Sequence, residues 1–440
     1  PVRPSVGLAV DGLLHPRWLL GTFLRSLWRE GMPHFENFAL ARVPMVVLSN
    51  NDGCVVSRSS EARQLGIAMG KPYFQIAEQL ARHGVVVRSS NYALYGDMSQ
   101  RLMSSLEPWV AELEVYSIDE AFARLPRPQH GELRSWATEL RSRIRHNLGI
   151  PIAIGLAPSK VLAKLANRVA KGDRRHAGVF DLGLEPSHDP WLEQTPVEEL
   201  WGVGRQLNRW CRLRGIANAR QLRDMASGEL RAKAGVVGLR LQLELQGVSC
   251  LPLEQGPSAK RETCVSRSFS RPITDAGELR QAVASYVVRA AEKLRHQRQC
   301  SGRLTVFART SPFSPDFYSQ AAGTSLPVAS NDTAVLLQAA LPLVALIYRP
   351  HKRFAKAGVL LQDLQSQEQL QHHLLAPLPE AEQQRRADLM QRIDGLNRRY
   401  GRGTVQWAAC GLTPGWMMRR EQLSRAATTR LADLPTAWAR

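Results

Sequence analysis

Two adjacent carboxylates, Asp119 and Glu120, sit in the run Tyr116-Ser117-Ile118-Asp119-Glu120-Ala121-Phe122, an otherwise apolar, strand-like stretch. One unpaired carboxylate is costly to bury, and two neighbouring anions repel, so such a pair calls for a counter-charge. A divalent cation supplies one economically. Mg²⁺ takes oxygen ligands from one or two carboxylates and keeps its other positions for water and substrate phosphate. The same letters also fit a strand edge turning into solvent, where Asp-Glu is merely a wet turn. Both readings stand at this point.

Cationic groups recur around the pair. Gly155-Leu156-Ala157-Pro158-Ser159-Lys160 leaves a predicted strand, and the helix from Val161 presents Lys164 and Lys171, seven residues apart on one face. Beside a metal site, such a lysine face suits a triphosphate; elsewhere it is a solvated surface. Arg63 follows Asn50-Asn51-Asp52-Gly53 in a segment able to fold over a phosphate tail, although a surface arginine explains it equally. Trp201-Gly202-Val203-Gly204 reads as a turn between short helices. Such a turn either aims backbone N–H groups at a phosphate or simply joins two helices.

These residues need scaffolding from several elements. Pro44–Leu48 reads as a buried strand, followed by a Ser49–Gly53 turn and a helix over Ser59–Leu65. Further strands are predicted at Gly84–Arg88, Glu114–Ile118 and Ile150–Gly155, with helices around Asp97–Leu106 and Leu133–Leu148. Strands interleaved with helices imply an α/β or α+β layer domain. At 440 residues the chain exceeds one core and should hold about three domains. Pro-rich breaks fall at Pro186–Pro196 and near Leu251–Pro257. Beyond the second, Thr263–Phe269, helix-like Ala276–Arg298 and strands at Arg303–Thr310 and Ala357–Leu361 suggest a compact α+β unit. The tail after Gln362 opens Gln- and His-rich, as a linker does, and regains structure signals near Leu389–Trp407.

Charge narrows the partner. Lys+Arg number 58 against 39 Asp+Glu, a net +19, and residues 255–360 alone carry 15 Lys/Arg against 6 Asp/Glu. That excess favours nucleic acid over an anionic membrane, since the basic residues are dispersed and no long basic amphipathic helix stands out. Six cysteines are scattered without a C-x-x-C or a Cys/His cluster, which argues against a zinc site or a disulfide framework and fits a reducing compartment. The apolar patch Leu13–Leu27 is broken by His15, Pro16, Arg17 and Arg25, too interrupted for a membrane span or a signal peptide. A cytoplasmic protein with no membrane attachment is the expectation. Its first residue is Pro1 rather than Met, so the natural start is expected upstream.

Nine strings occur in order: VVLSNNDGCVVSR (46–58), EARQLGIAMG (61–70), SSNYALYGDMSQR (89–101), VYSIDEAF (115–122), APSKVLAKLAN (157–167), WGVGR (201–205), YVVRAAEKLR (286–295), RTSPF (309–313) and GRGT (401–404). Together they resemble the Y-family translesion DNA polymerases, in their UmuC-type branch. The resemblance implies an α+β multidomain, right-hand polymerase. Palm and fingers would span 1–185, a helix-hairpin-helix thumb 186–252, a DNA-binding little finger 253–362 and a UmuC-type extension 363–440. It implies error-prone, template-directed copying of damaged DNA in the SOS response, with primer-template DNA and deoxynucleoside triphosphates as substrates. Asp119 and Glu120 would be catalytic palm carboxylates holding two Mg²⁺ ions, joined by Asp11 and the backbone carbonyl of Gly12. Arg63 and Lys171 would contact the triphosphate, and Gly202, Gly204 and Arg205 the DNA. Gln371, Leu374 and Leu375 fall where relatives carry a sliding-clamp peptide. A cleaved UmuD-type partner and the RecA filament are implied beside the clamp.

One stretch departs from the pattern. After Asp11-Gly12 relatives carry a sugar-discriminating aromatic, whereas this chain reads Leu13-Leu14-His15-Pro16 and places Pro16 at that offset. Residues 13–40 are therefore either a shifted reading frame or a lineage-specific insertion. The alternative to an active polymerase is a catalytically impaired, DNA-binding remnant. A palm-domain nucleotide cyclase would share the carboxylates but have no use for the Gly-x-Gly region or the basic unit.

Overall fold

The computed structural model describes residues 5–9 (backbone only), 43–125, 132–254, 256, 259–369, 380–412, 415–425, 428, 430 and 433. Chain contacts divide it into two units, one formed by Pro1–Pro257 with Glu421–Arg440, the other by Ser258–Arg420.

The strands of the first unit are β1 (Ser5–Ala9), β2 (Met45–Leu48), β3 (Val55–Arg58), β4 (Val86–Ser89), β5 (Glu112–Val115), β6 (Glu120–Arg124), β7 (Ala153–Ala157) and β8 (Val179–Asp181). Five make one sheet in the order β5-β6-β1-β7-β8, antiparallel except for the parallel pair β7–β8. The two-residue period of a strand sorts its side chains. Ala121, Ala123, Ile154 and Leu156 pack with the helices Tyr92–Leu106 and Glu132–Leu148. Ala153 and Ala157 pack instead with the helix Lys160–Gly172, which covers the other face. Glu120 and Phe122 alternate with the alanines of β6 and so face that helix.

Gly155 sets how closely the helix approaches. A Cβ there would lie 2.1 Å from the Asn167 backbone nitrogen and 2.5 Å from Ala163 O, contacts that only glycine escapes. Asn167 adds a side-chain bond of 2.7 Å to Ala153 O. Gly155→Ala is expected to cost at least the upper part of the roughly 1–3 kcal/mol typical of overpacking, because rigid backbone must yield. Thermal unfolding would register this as a drop of several degrees; an unchanged midpoint would show that the helix can back away freely.

A separate three-stranded sheet, β3-β2-β4, has β2 fully buried at its centre, antiparallel to β3 and parallel to β4. Val46, Leu48, Val55, Ala62, Ile76 and Leu80 form its core with the short helix Ser60–Gln64 and the helix Tyr73–Arg82. Residues 189–245 are helical, with Arg205–Leu213 and the long Ser227–Leu245 the main pieces.

The second unit is an antiparallel sheet, β11-β10-β12-β9, made by β9 (Thr263–Ile273), β10 (Gln299–Thr310), β11 (Ser319–Ser330) and β12 (Phe354–Ser366). Helices Ala276–His296 and Thr333–Ile347 cover one face, where Leu304, Val306 and Ala308 are buried. Their neighbours Arg303, Thr305, Phe307 and Arg309 therefore point to the opposite face, and Arg309 pairs in register with Lys356. In the tail, the helix Glu380–Tyr400 is held by a two-pronged contact from Arg295 to Asp394 at 2.7 and 2.8 Å. Trp416 packs against Phe269 and Tyr286.

Sequence patterning leaves out β11 and the helix Thr333–Ile347. SQAAGTSLPVAS has only one β-branched apolar residue and a proline, which is tolerated because β11 is an edge strand. Among the described residues no helix is long and apolar enough to cross a membrane.

Candidate active site

The Asp-Glu pair lies at a hairpin, not within one continuous strand. The predicted strand Glu114–Ile118 ends at Val115, and the chain turns before β6 begins at Glu120. Tyr116 and Ser117 N–H groups both donate to Glu120 O, at 3.1 and 3.0 Å, and close the turn. Ser117 Oγ donates to Asp119 Oδ1 at 2.5 Å, while Asp119 N–H donates back to Ser117 Oγ at 3.3 Å. Asp119 thus caps the turn and Glu120 opens the strand, opposite Ala9 at the end of β1. Both carboxylates are half-buried. The wet-turn geometry is real, yet it sits at the rim of a charged cleft.

Lys164 Nζ lies 2.6 Å from Glu120 Oε1 and 5.7 Å from the centre of the Tyr116 ring. Its helix starts cleanly, with Ser159 as N-cap accepting from Leu162 N–H at 3.3 Å. Lys164, Arg168 and Lys171 rise along one face at four- and three-residue steps. With Glu120, Glu199 and Trp201 they line a cleft of about 310 Å³. Arg168 pairs with Glu199 across it.

Trp201 forms the aromatic wall. Its ring lies 5.6 Å from Tyr116 and 5.4 Å from Phe122, and its indole N–H donates to Tyr116 Oη at 3.0 Å. The helical segment behind it is anchored to the lysine helix through Glu244. Ser159 Oγ donates to Glu244 O at 2.6 Å, and the buried Glu244 carboxylate accepts from Val161, Cys250 and Leu251 N–H groups at 3.2, 2.8 and 3.0 Å. A carboxylate at a helix N-terminus is favoured by the helix dipole.

The expected residues are distributed as follows. Glu120 and Lys171 line one cleft, and Asp119 adjoins Glu120 at the hairpin. Gly202 takes φ +98°, open to glycine, with Leu241 Cδ1 3.4 Å from where a Cβ would sit. Gly204 is the N-cap of Arg205–Leu213 with no side-chain cap, and both Gly204 and Arg205 are exposed, so the first amides of that helix face solvent. Arg63 is exposed on Ser60–Gln64, beside the three-stranded sheet, and is not part of the cleft. Asp11, Gly12, Gln371, Leu374 and Leu375 lie outside the described residues.

Sequence reading missed three contributors. Arg168 was visible as the middle step of the Lys164–Lys171 face. The Glu120–Lys164 pair, 44 residues apart, and the Trp201–Tyr116 contact, 85 apart, carry no local signal.

Cation chemistry fits this donor set. Among the described residues the site offers hard carboxylate oxygens and no thiolate or imidazole, and an ammonium group already sits on Glu120. Among the described residues no three acidic, His or Cys side chains converge on one point.

Residues 33–168 match the impB/mucB/samB family, residues 260–374 its C-terminal domain, and residues 387–437 a domain of unknown function. The chain is 42% identical over 395 residues to protein UmuC of Salmonella typhimurium, covering 89% of this chain and 93% of that protein. It is 39% identical to protein ImpB of Salmonella typhimurium, covering 90% and 94%. A solved Y-family DNA polymerase chimera of Dbh and Dpo4 aligns with a TM-score of 0.61 and 20% identity, covering 82% of this chain and 99% of the chimera. Its likeness concerns the fold and agrees with an α+β polymerase architecture. The chain belongs to the impB/mucB/samB family, as a UmuC-like member of the Y-family DNA polymerases.

Proposed function

We propose that this chain extends a DNA primer across damaged template, with low fidelity, in the SOS response to DNA damage. The observation that carries the reading is the Asp119–Glu120 hairpin at the mouth of a cleft walled by Lys164, Arg168 and Lys171. Asp119 and Glu120, with Asp11 and the Gly12 carbonyl, would hold two Mg²⁺ ions. Bound there, Mg²⁺ would lower the pKa of the primer 3′-hydroxyl and neutralise charge on the triphosphate and leaving pyrophosphate.

The chain's own groups then divide the work. Lys171 from the cleft and Arg63 from the neighbouring layer bind the incoming triphosphate as fixed positive charge. Gly202 and Gly204 shape a turn whose helix presents free amides and Arg205 to a strand phosphate. Arg303, Arg309 and Lys356, on the sheet face opposite the two helices of the second unit, suit the duplex backbone. A cytoplasmic location, a cleaved UmuD-type partner, the RecA filament and a sliding clamp bound through Gln371, Leu374 and Leu375 belong to the same reading.

The remnant reading is not favoured, because both carboxylates and the cationic cleft are retained within a chain spanning 93% of UmuC. Purified protein should extend an undamaged primer-template in Mg²⁺, stop when the metal is chelated and resume when it is restored. Extension indifferent to chelation would refute the metal assignment. Duplex affinity should also fall steeply with salt, log affinity losing roughly 0.9 per log of salt for each phosphate neutralised. A flat salt response would remove the electrostatic grip.

A further inference from the structure

Strand β4 lies at the edge of its sheet, with β2 on one side only. Its other side is nevertheless occupied, by residues near the end of the chain. Ser89 N–H donates to Gln422 O at 2.9 Å, and Gln422 N–H donates to Ser89 Oγ at 3.1 Å. Ser89 and Leu423 form a parallel bridge. Two further contacts flank it. Asn91 Nδ2 donates to the Ser424 carbonyl at 3.1 Å and lies 3.3 Å from its hydroxyl, and Glu421 N–H donates to Asp52 Oδ2 at 3.2 Å. Ser89 and Asn91 are 1% and 6% exposed, so water competes little for these bonds.

We propose that residues 421–425 form an intramolecular strap, an extended segment added to the outer edge of β4. The main chain of Ser89 supplies the strand-like pairing, which tolerates many sequences; the Asn91 carboxamide fixes the register. Asn91 is suited to this double task, because its Oδ1 caps the helix Tyr92–Leu106 by accepting from Leu94 N–H at 3.3 Å while its amide holds the tail. The chain leaves the first unit after Pro257 and rejoins it at Glu421. The strap therefore returns the chain to the first unit and covers a strand edge that would otherwise offer itself to another chain. This assigns a task to the distal part of the region matched only as a domain of unknown function, residues 387–437.

Amide hydrogen exchange on the full chain tests it with two lesions on opposite sides of the contact. Asn91→Asp keeps the helix cap, since Asp serves that position as well as Asn, but replaces the donor facing Ser424 with a carboxylate. Gln422→Pro removes the N–H that meets Ser89 and leaves the sheet itself untouched. In both, the Ser89 amide should exchange about tenfold faster or more, while Val46–Leu48 amides in β2 keep their protection. A wild-type Ser89 rate in either variant would overturn the strap. Equal loss of protection in β2 with Gln422→Pro would also overturn it, by making the tail part of the folding core.

Discussion

Replacing Asp119 with Ala should lower the rate of primer extension about a thousandfold or more while leaving the fold intact. The size follows from the role proposed for it: a carboxylate holding catalytic cations would support several kcal/mol of transition-state charge, and roughly 4 kcal/mol is a factor of about 10³. The intact fold follows from its surroundings. The Asp119 side chain bonds locally to Ser117, on a half-buried turn outside the sheet core. Asp119→Asn keeps that local bond and nearly the same shape, so an equal loss would assign the effect to charge. Single-nucleotide incorporation rates, with thermal unfolding as the control for folding, check both. Wild-type rates in either variant would end the assignment of this hairpin. Glu120→Ala is a less clean probe, because it also releases Lys164 from its partner.

Lys160→Met should be the most destabilising of the conservative changes in the first unit. Lys160 Nζ contacts Glu114 Oε2 at 2.5 Å and Pro252 O at 2.8 Å, and the same carboxylate oxygen accepts from Glu254 N–H at 2.8 Å. The two side chains are only 5% and 11% exposed. Removing the ammonium leaves a buried carboxylate with one remaining donor, a situation that typically costs about 3–5 kcal/mol. The pair also ties residues 252–254 to β5, so the lesion loosens the exit from the helical segment. Replacing both partners with apolar residues, Lys160→Met with Glu114→Leu, should recover most of the loss, since well-packed apolar substitutes for a buried pair are often neutral. Urea midpoints for the single and double variants decide it. A single variant within about 1 kcal/mol of wild type would show that water already reaches the pair.

The sequence carried the chemistry more fully than the geometry. Asp119-Glu120, Lys171 and the Gly202–Gly204 turn could be found by eye because their types and local spacing are unusual. Periodicity also located β2, the helix after Ser159 and most of the basic second unit. Register was the weak point: a strand read through Glu114–Ile118 hid the turn that sets Asp119 and Glu120 on different elements. Only sheet pairing decides that Glu120 and Phe122 face the helix while Ala121 and Ala123 face the opposite core. Contacts such as Glu120–Lys164, Trp201–Tyr116 and Asn91–Ser424 join residues 44, 85 and 333 positions apart, beyond any local pattern. The stretch 13–40, where the family pattern breaks, lies outside the described residues.

The most direct test is single-turnover extension of a primer whose next template position is an abasic site, with Mg²⁺ and all four deoxynucleoside triphosphates. Wild-type protein should insert opposite the lesion and continue past it, and Asp119→Ala protein should not. Extension that halts at the lesion in both, or proceeds equally in both, would contradict a translesion polymerase working through the Asp119–Glu120 hairpin.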